Sequence, residues 1–214
     1  MTGVRMGAHA ELVAVRADRH CAKPAGVDHE QAAAILFGGS TARQFLRDLA
    51  APGRRVLVNG ASGAVGSAAV QLAHLGGAHV TAVCSARNAD LVRSLGADEV
   101  VDHTTTSVLD LPATFDVVLD AVGNLDRRTG RRLLAPRGVL LLAVAGLADT
   151  VLARGDVRTG PIAEDPADFA WLLERVAAGE LRAVVDRTLP LSEVVEAHRI
   201  VDSGRKVGNL VLVP

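Results

Sequence analysis

VLVNGASGAVGSAAVQLAHL, residues 56–75, joins a short apolar run to a glycine-rich turn and then an alanine-rich helical stretch, with nothing between them. A continuous apolar run without strict alternation reads as a strand covered on both faces. The turn Gly60-Ala61-Ser62-Gly63-Ala64-Val65-Gly66 follows at once. Strand, glycine turn and helix in that order form a dinucleotide cradle: Gly63 lets backbone approach a pyrophosphate, Gly66 lets helix pack on strand, and the helix N-terminus offers unpaired N–H groups. The alternative is a tight turn that binds nothing.

Outward from this unit the pattern repeats. HVTAV (79–83), DEVVD (98–102), FDVVLDAVG (115–123) and VLLLAVAG (139–146) are further strands, separated by helix-like segments that include an Arg-rich one. The spacing predicts an α/β fold, a doubly wound parallel Rossmann sheet with helices on each side. The flanks differ. Residues 8–16 are strand-like, and Asp28 and Gln31 are spaced as a capping box before AAAIL. Ser40 or Thr41 caps a second short helix to Leu49, a helix spans about 166–178, a strand covers about 183–189, Ser192 caps a helix to Val201, and a last strand runs 207–213. The predicted division is 1–50 as part of a second domain, 51–179 as the dinucleotide-binding domain, and 180–214 as the return to that second domain.

Which dinucleotide is bound is decided after the second strand, where NAD binders place an acid for the ribose 2′-hydroxyl. Here the chain reads Val83-Cys84-Ser85-Ala86-Arg87-Asn88, with no acid before Asp90. Ser85 and Arg87 can donate to a 2′-phosphate, which predicts NADPH, although Arg87 also reads as a solvated surface residue.

Composition narrows the class. With 214 residues, 49% hydrophobic and 22% charged, the chain can bury a core, and a net charge of −1 provides no field for nucleic acid or acidic lipid. The run Asp126–Arg132 is locally basic but lacks aromatics to stack bases, so it reads as a solvated helix face. Cys21 and Cys84 form no disulfide framework and, with scattered histidines, no metal constellation. The longest apolar run, Val139–Leu147, is too short to span a bilayer, and the N-terminus shows no signal segment; a cytoplasmic protein is expected. The absence of tyrosine argues against short-chain dehydrogenases, which use a catalytic Tyr.

Taken together, GAHAELVAV (7–15), AAAILFGGSTA (32–42), PGRRVLVNGASGAVGSAAVQLA (52–73), SARN with LGADEVVD (85–102), FDVVLDAVG (115–123) and HRIVDSGRKVGNLVL (198–212) resemble medium-chain dehydrogenase/reductases of the zinc-free, quinone-oxidoreductase type. The resemblance covers nearly the whole chain, but it begins only at the last strands of the family's GroES-like segment, so 1–50 and 180–214 read as a partial catalytic domain. By position, it implies that Ser62, Gly63, Ala64 and Val65 line the pyrophosphate, though many members have Gly where Ala64 stands. Ser85 and Arg87 meet the 2′-phosphate, and His103 lies beside the adenosine end or is merely a surface histidine. Gly123, Asn124, Ala145 and Gly146 lie on the carboxyl edge where the cofactor crosses. Thr41 approaches the nicotinamide side or only caps a helix, and Lys206 and Asn209 brush the cofactor. The implied activity is NADPH-dependent hydride transfer to a small electrophilic C=C or quinone by a zinc-independent homodimer, with no proton donor named. The other reading is a non-catalytic NADPH-binding or interaction module.

Overall fold

The computed structural model describes residues 9–112, 114–160 and 163–214. Six parallel strands form one sheet in the order β3-β2-β1-β4-β5-β6. They are β1 (Arg55–Asn59), β2 (His79–Cys84), β3 (Glu99–Asp102), β4 (Phe115–Asp120), β5 (Leu134–Leu142) and β6 (Val157–Thr159). The order reverses between β1 and β4, which places a crevice at their carboxyl ends. Two later strands, β7 (Val185–Pro190) and β8 (Asn209–Val213), form a separate parallel pair.

Alternate side chains of each strand enter two cores. Val56, Val58, Val80, Ala82, Val117, Leu119 and Leu141 face α1 (His29–Leu46), α2 (Ala64–Leu75), α3 (Ala89–Ser94) and α6 (Pro166–Ala177). Leu57, Val83, Val118, Leu140 and Leu142 face the other way. Helices were expected on each side. On this second face the cover comes from single turns bearing Val108, Leu125 and Leu133 and from Val157, and the Arg-rich segment is the one-turn α4 (Arg127–Gly130) followed by a 3₁₀ turn. The remaining helices are α5 (Leu147–Leu152) and α7 (Val194–Asp202). Among the described residues no helix is long and apolar enough to cross a membrane.

The Asp28–Gln31 capping box forms as expected. Ser40 and Thr41, by contrast, do not start a second helix: both lie inside the single helix α1, where each hydroxyl donates back to the Phe37 carbonyl. Gly38 and Gly39 do not break that helix because each is a packing site, Gly38 against the backbone of Ala64 and Gly39 against Leu172. Ser192 caps nothing; it lies in a 3₁₀ turn and α7 begins after Glu193 without a side-chain cap. The strand expected at 8–16 falls partly outside the described residues, and its described part, 9–16, is exposed and forms no strand. The sixth strand, β6, is too short to have left an apolar run in the sequence.

Two polar latches fix the frame. Asp168 on α6 is buried and accepts from Arg43 at 2.7 Å and from Arg47, both near the end of α1, while the Arg43 guanidinium lies 3.7 Å from the Trp171 ring centroid. The Gln71 amide of α2 both donates to the Arg182 carbonyl and accepts from its N–H, tying the approach to β7 onto α2.

Candidate functional site

β1 delivers Asn59 to the carboxyl edge of the sheet, where the chain turns through Gly60 to Gly63 into α2. Gly60 has φ +82°, which favours glycine, and a Cβ on Gly66 would lie 2.1 Å from the Gly60 carbonyl oxygen. Close packing of helix on turn therefore demands glycine at 66. Gly63 is the N-cap of α2 and carries no side chain to cap it, so the first N–H groups of a twelve-residue helix are left for an external acceptor.

The turn is braced from two sides. Asn88, after β2, donates to Ser62 Oγ at 3.0 Å. Gly208, just before β8, donates its N–H to the Ser62 carbonyl at 2.7 Å and forms a parallel bridge with Gly63.

Two clefts flank Gly63. The first, 730 Å³, runs from Asn59 and Asn124 across Val83 and Cys84 to the polar stretch His103–Ser107. The second, 470 Å³, is lined by Phe37, Thr41, Ala64, Val65, Ala143 and Val144. Gly63 and Lys206 line both. Two compartments joined at a glycine, a helix N-terminus and an ammonium match the layout of a dinucleotide, whose two nucleosides meet at a pyrophosphate. A third, mainly apolar groove of 440 Å³ lies between α1, α7 and β8 and also reaches Lys206.

Lys206 is half-buried and donates to the Gly208 carbonyl at 2.6 Å. Burial pushes its ammonium below the ordinary lysine range, with Asp186 opposing the shift. Asp102, at the end of β3, is held below the usual carboxylate range by the Thr104 N–H and hydroxyl. Cys84 is buried in the first core at the cleft wall, and that burial pushes its thiol up, Asp102 adding to the shift and Arg93 opposing it.

The residues singled out in the sequence separate into groups. Thr41, Gly63, Ala64 and Val65 meet in the second cleft, and His103, Asn124 and Gly63 in the first. The Ser62 hydroxyl is engaged by Asn88. Ser85 and Arg87 line neither cleft; they form a shoulder after β2, with Arg87 exposed and without a partner among the described residues. Gly123 has φ +87° and a Cβ there would strike Val144 Cγ1 at 2.7 Å, so glycine is required by the turn itself. β5 ends at Leu142, before Ala145 and Gly146; Ala145 packs against the second core, Gly146 is the N-cap of α5, and Ala143 and Val144 line the second cleft. Asn209 donates to the Val184 carbonyl at the start of β8. Sequence reasoning missed Asn59 and Asp120. Both stand at the carboxyl ends of apolar runs, VLVN and VVLD, where the sequence alone does not pair them.

Several known proteins are similar to this chain in sequence or in fold. The chain is 35% identical to the mitochondrial NAD(P)H oxidoreductase RTN4IP1 of Mus musculus, over 97% of this chain and 61% of that protein. It is 32% identical to a chloroplastic NADPH-dependent alkenal/one oxidoreductase of Arabidopsis thaliana, over 98% of this chain and 54% of that one. The chain thus spans about three-fifths or less of the length of these two relatives. Among solved structures, an NAD-dependent alcohol dehydrogenase superposes with a TM-score of 0.85 at 29% identity, covering 97% of this chain and 65% of that one. The quinone oxidoreductase of Coxiella burnetii superposes with 0.80 at 26% identity, covering 89% and 62%. Residues 95–212 match the family described as zinc-binding dehydrogenase. Among the described residues no three His, Cys, Asp or Glu side chains gather to hold a metal ion. The matched segment, the relatives and the structural superposition lead to one conclusion: the chain belongs to the zinc-binding dehydrogenase family, within the medium-chain dehydrogenase/reductases.

Proposed function

We propose that the chain binds NADPH across the Gly63 turn and serves a reductase acting on an electrophilic C=C or a quinone. The observation that carries this reading is the uncapped N-terminus of α2 between two clefts that share Gly63 and Lys206. When bound, the dinucleotide supplies the hydride. The Ala64–Gly66 N–H groups and Lys206 hold the pyrophosphate, and Ser85 and Arg87 take the 2′-phosphate on their exposed shoulder. Thr41, Phe37 and Val144 keep water from one side of the nicotinamide compartment. Relatives that reduce alkenals or quinones support this substrate class.

A second reading, an NADPH-binding module without turnover of its own, is favoured by the apolar side chains Phe37, Val122 and Val144, each at least half exposed around the clefts. Transition-state binding needs walls on the acceptor side, and the described residues supply few. Steady-state NADPH oxidation with a small quinone and with an enone separates the two readings. Selective turnover by this chain alone supports the reductase; tight NADPH binding without turnover supports the module; failure to bind NADPH overturns both.

We also propose a homodimer joined through β6, whose outer edge is unpaired among the described residues and which follows α5, where Leu147, Val151 and Leu152 are exposed. Sedimentation at micromolar concentration checks it, and a monomer throughout would count against it.

A further inference from the structure

We propose that a buried polarity relay, Asp120 to Asn59 to Asn124, presents the Asn124 side-chain amide as a hydrogen-bond donor to the adenosine half of the dinucleotide. The inference rests on the dinucleotide reading above.

The relay starts from a carboxylate that can only accept. Asp120 closes β4, is fully buried, and takes no cationic partner among the described residues. Its Oδ1 accepts from Asn59 Nδ2 at 2.8 Å and from the Val122 N–H at 3.1 Å. Its Oδ2 accepts from the N–H groups of Gly123 and Leu125, both at 3.1 Å. Four donors therefore meet two oxygens, which fixes the turn after β4.

Asn59 must answer with its NH₂ group, because its oxygen would face an oxygen. The second hydrogen of that NH₂ goes to Asn124 Oδ1 at 2.6 Å. Asn124 is thus obliged to turn its own oxygen towards Asn59, and its NH₂ is left over, without a partner among the described residues. Asn124 is exposed and lines the first cleft beside Asn59. The relay crosses between β1 and β4, where the strand order reverses. The opposite wall of this cleft is built from the ends of β2 and β3, at Cys84 and His103–Ser107, whereas Ala143 and Val144 belong to the other compartment. A donor in this position suits the ribose oxygens and the N1, N3 and N7 ring nitrogens of an adenosine, each able to accept. Asn124 is then a binding residue, and Asp120 and Asn59 are positioning residues that set its polarity from a distance.

The test uses NADPH, and 2′-phospho-ADP-ribose as a probe lacking the nicotinamide. Asn124→Ala is expected to weaken both about three- to tenfold, with a modest fall in melting temperature because the buried Asn59 NH₂ loses one acceptor. Asn124→Asp keeps an oxygen towards Asn59 and replaces the cleft-facing donor by an acceptor, so it should weaken both further. If only the Asp variant binds poorly, charge repulsion is responsible and the relay is refuted. If only NADPH is affected, the donor serves the other half of the dinucleotide and the assignment fails. Positioning is read by NMR: the Asn124 NH₂ signal, identified by its loss in Asn124→Asp, should shift on adding 2′-phospho-ADP-ribose, and in Asp120→Asn it should split or lose that response. An unaltered response in Asp120→Asn refutes the relay. No binding of either ligand by the unaltered chain would instead remove the dinucleotide reading on which the inference stands.

Discussion

Gly38 in α1 lies so close to Ala64, the first residue of α2, that a Cβ on Gly38 would sit 2.2 Å from the Ala64 carbonyl oxygen. The helix of residues 29–46 thereby sets the height of the helix whose N-terminus faces the clefts. A Cβ on its neighbour Gly39 would meet side chains alone, the tips of Leu172 at 3.1 Å and Ile35 Cγ1 at 3.4 Å. Gly38→Ala should displace the α2 N-terminus and weaken NADPH binding about tenfold or more, since backbone cannot yield as a side chain can. In Gly39→Ala the Leu172 side chain gives way and the better helix propensity offsets the strain, leaving affinity unchanged. Paired titrations of the two variants check this, and equal affinities would remove the role given to Gly38.

Lys206 carries a pH signature. Its folded pKa lies below the ordinary lysine range because of burial. Between the folded and the unfolded value the unfolded chain holds a proton that the folded chain has lost, so stability of the unliganded protein rises with pH over that window. NADPH affinity runs the opposite way, falling as pH climbs through the folded pKa and the ammonium is lost. Lys206→Met should flatten both profiles, and a binding curve flat over alkaline pH in the unaltered protein would exclude Lys206 from the phosphate site.

Arg87 is exposed and unpartnered among the described residues, so a substitution there carries little cost in stability. Arg87→Glu should lower NADPH affinity about tenfold or more while changing NADH affinity far less. Parallel titrations with both nucleotides decide, and an unchanged NADPH/NADH ratio would dismiss the shoulder after β2 as a 2′-phosphate site.

Arg137 has φ +68° in the irregular first half of β5 and is exposed. Left-handed backbone costs a non-glycine residue about 1–2 kcal/mol, part of which glycine gives back through unfolded-state entropy. Arg137→Gly should stabilise by about 0.5–1 kcal/mol in denaturant unfolding, and destabilisation would show that the side chain supports the turn.

Asp168→Ala leaves Arg43 half-buried without its carboxylate. The expected loss is about 2–4 kcal/mol, with Asp168→Asn milder because its amide oxygen still accepts one bond. Chemical denaturation of both variants measures it. Equal losses would indicate that the carboxylate charge, and not the shape or the remaining amide oxygen, holds the α1–α6 contact.

The residues that form the sheet were legible because runs such as VLVN and VLLL admit few other readings, and the glycine turn was legible because its spacing is demanded by backbone approach. What was not legible depended on distant partners. Gly38-Gly39 followed by Ser40-Thr41 reads locally as a helix end and a new cap, and only contact with Ala64 and Leu172 makes it a helix interior. Ala145 and Gly146 were placed at a strand end from an apolar run that outlasts the strand, which stops at Leu142. Asn59 and Asp120 look like ordinary strand termini until the sheet puts them side by side. Lys206 gained importance the same way, from a loop whose position is fixed by the bridge between Gly208 and Gly63.

That bridge bears on the order of events in folding. β1, the turn and α2 are contiguous and can form from local contacts, whereas the hydrogen bond from Gly208 to Ser62 closes a loop spanning most of the chain. Contacts of such separation carry the largest closure entropy and contribute late, so the glycine turn takes shape early but is locked only when the last strand docks. The same contact is then among the first to open in the native state, and hydrogen exchange at the Gly208 amide becomes a gauge of how firmly the turn is held.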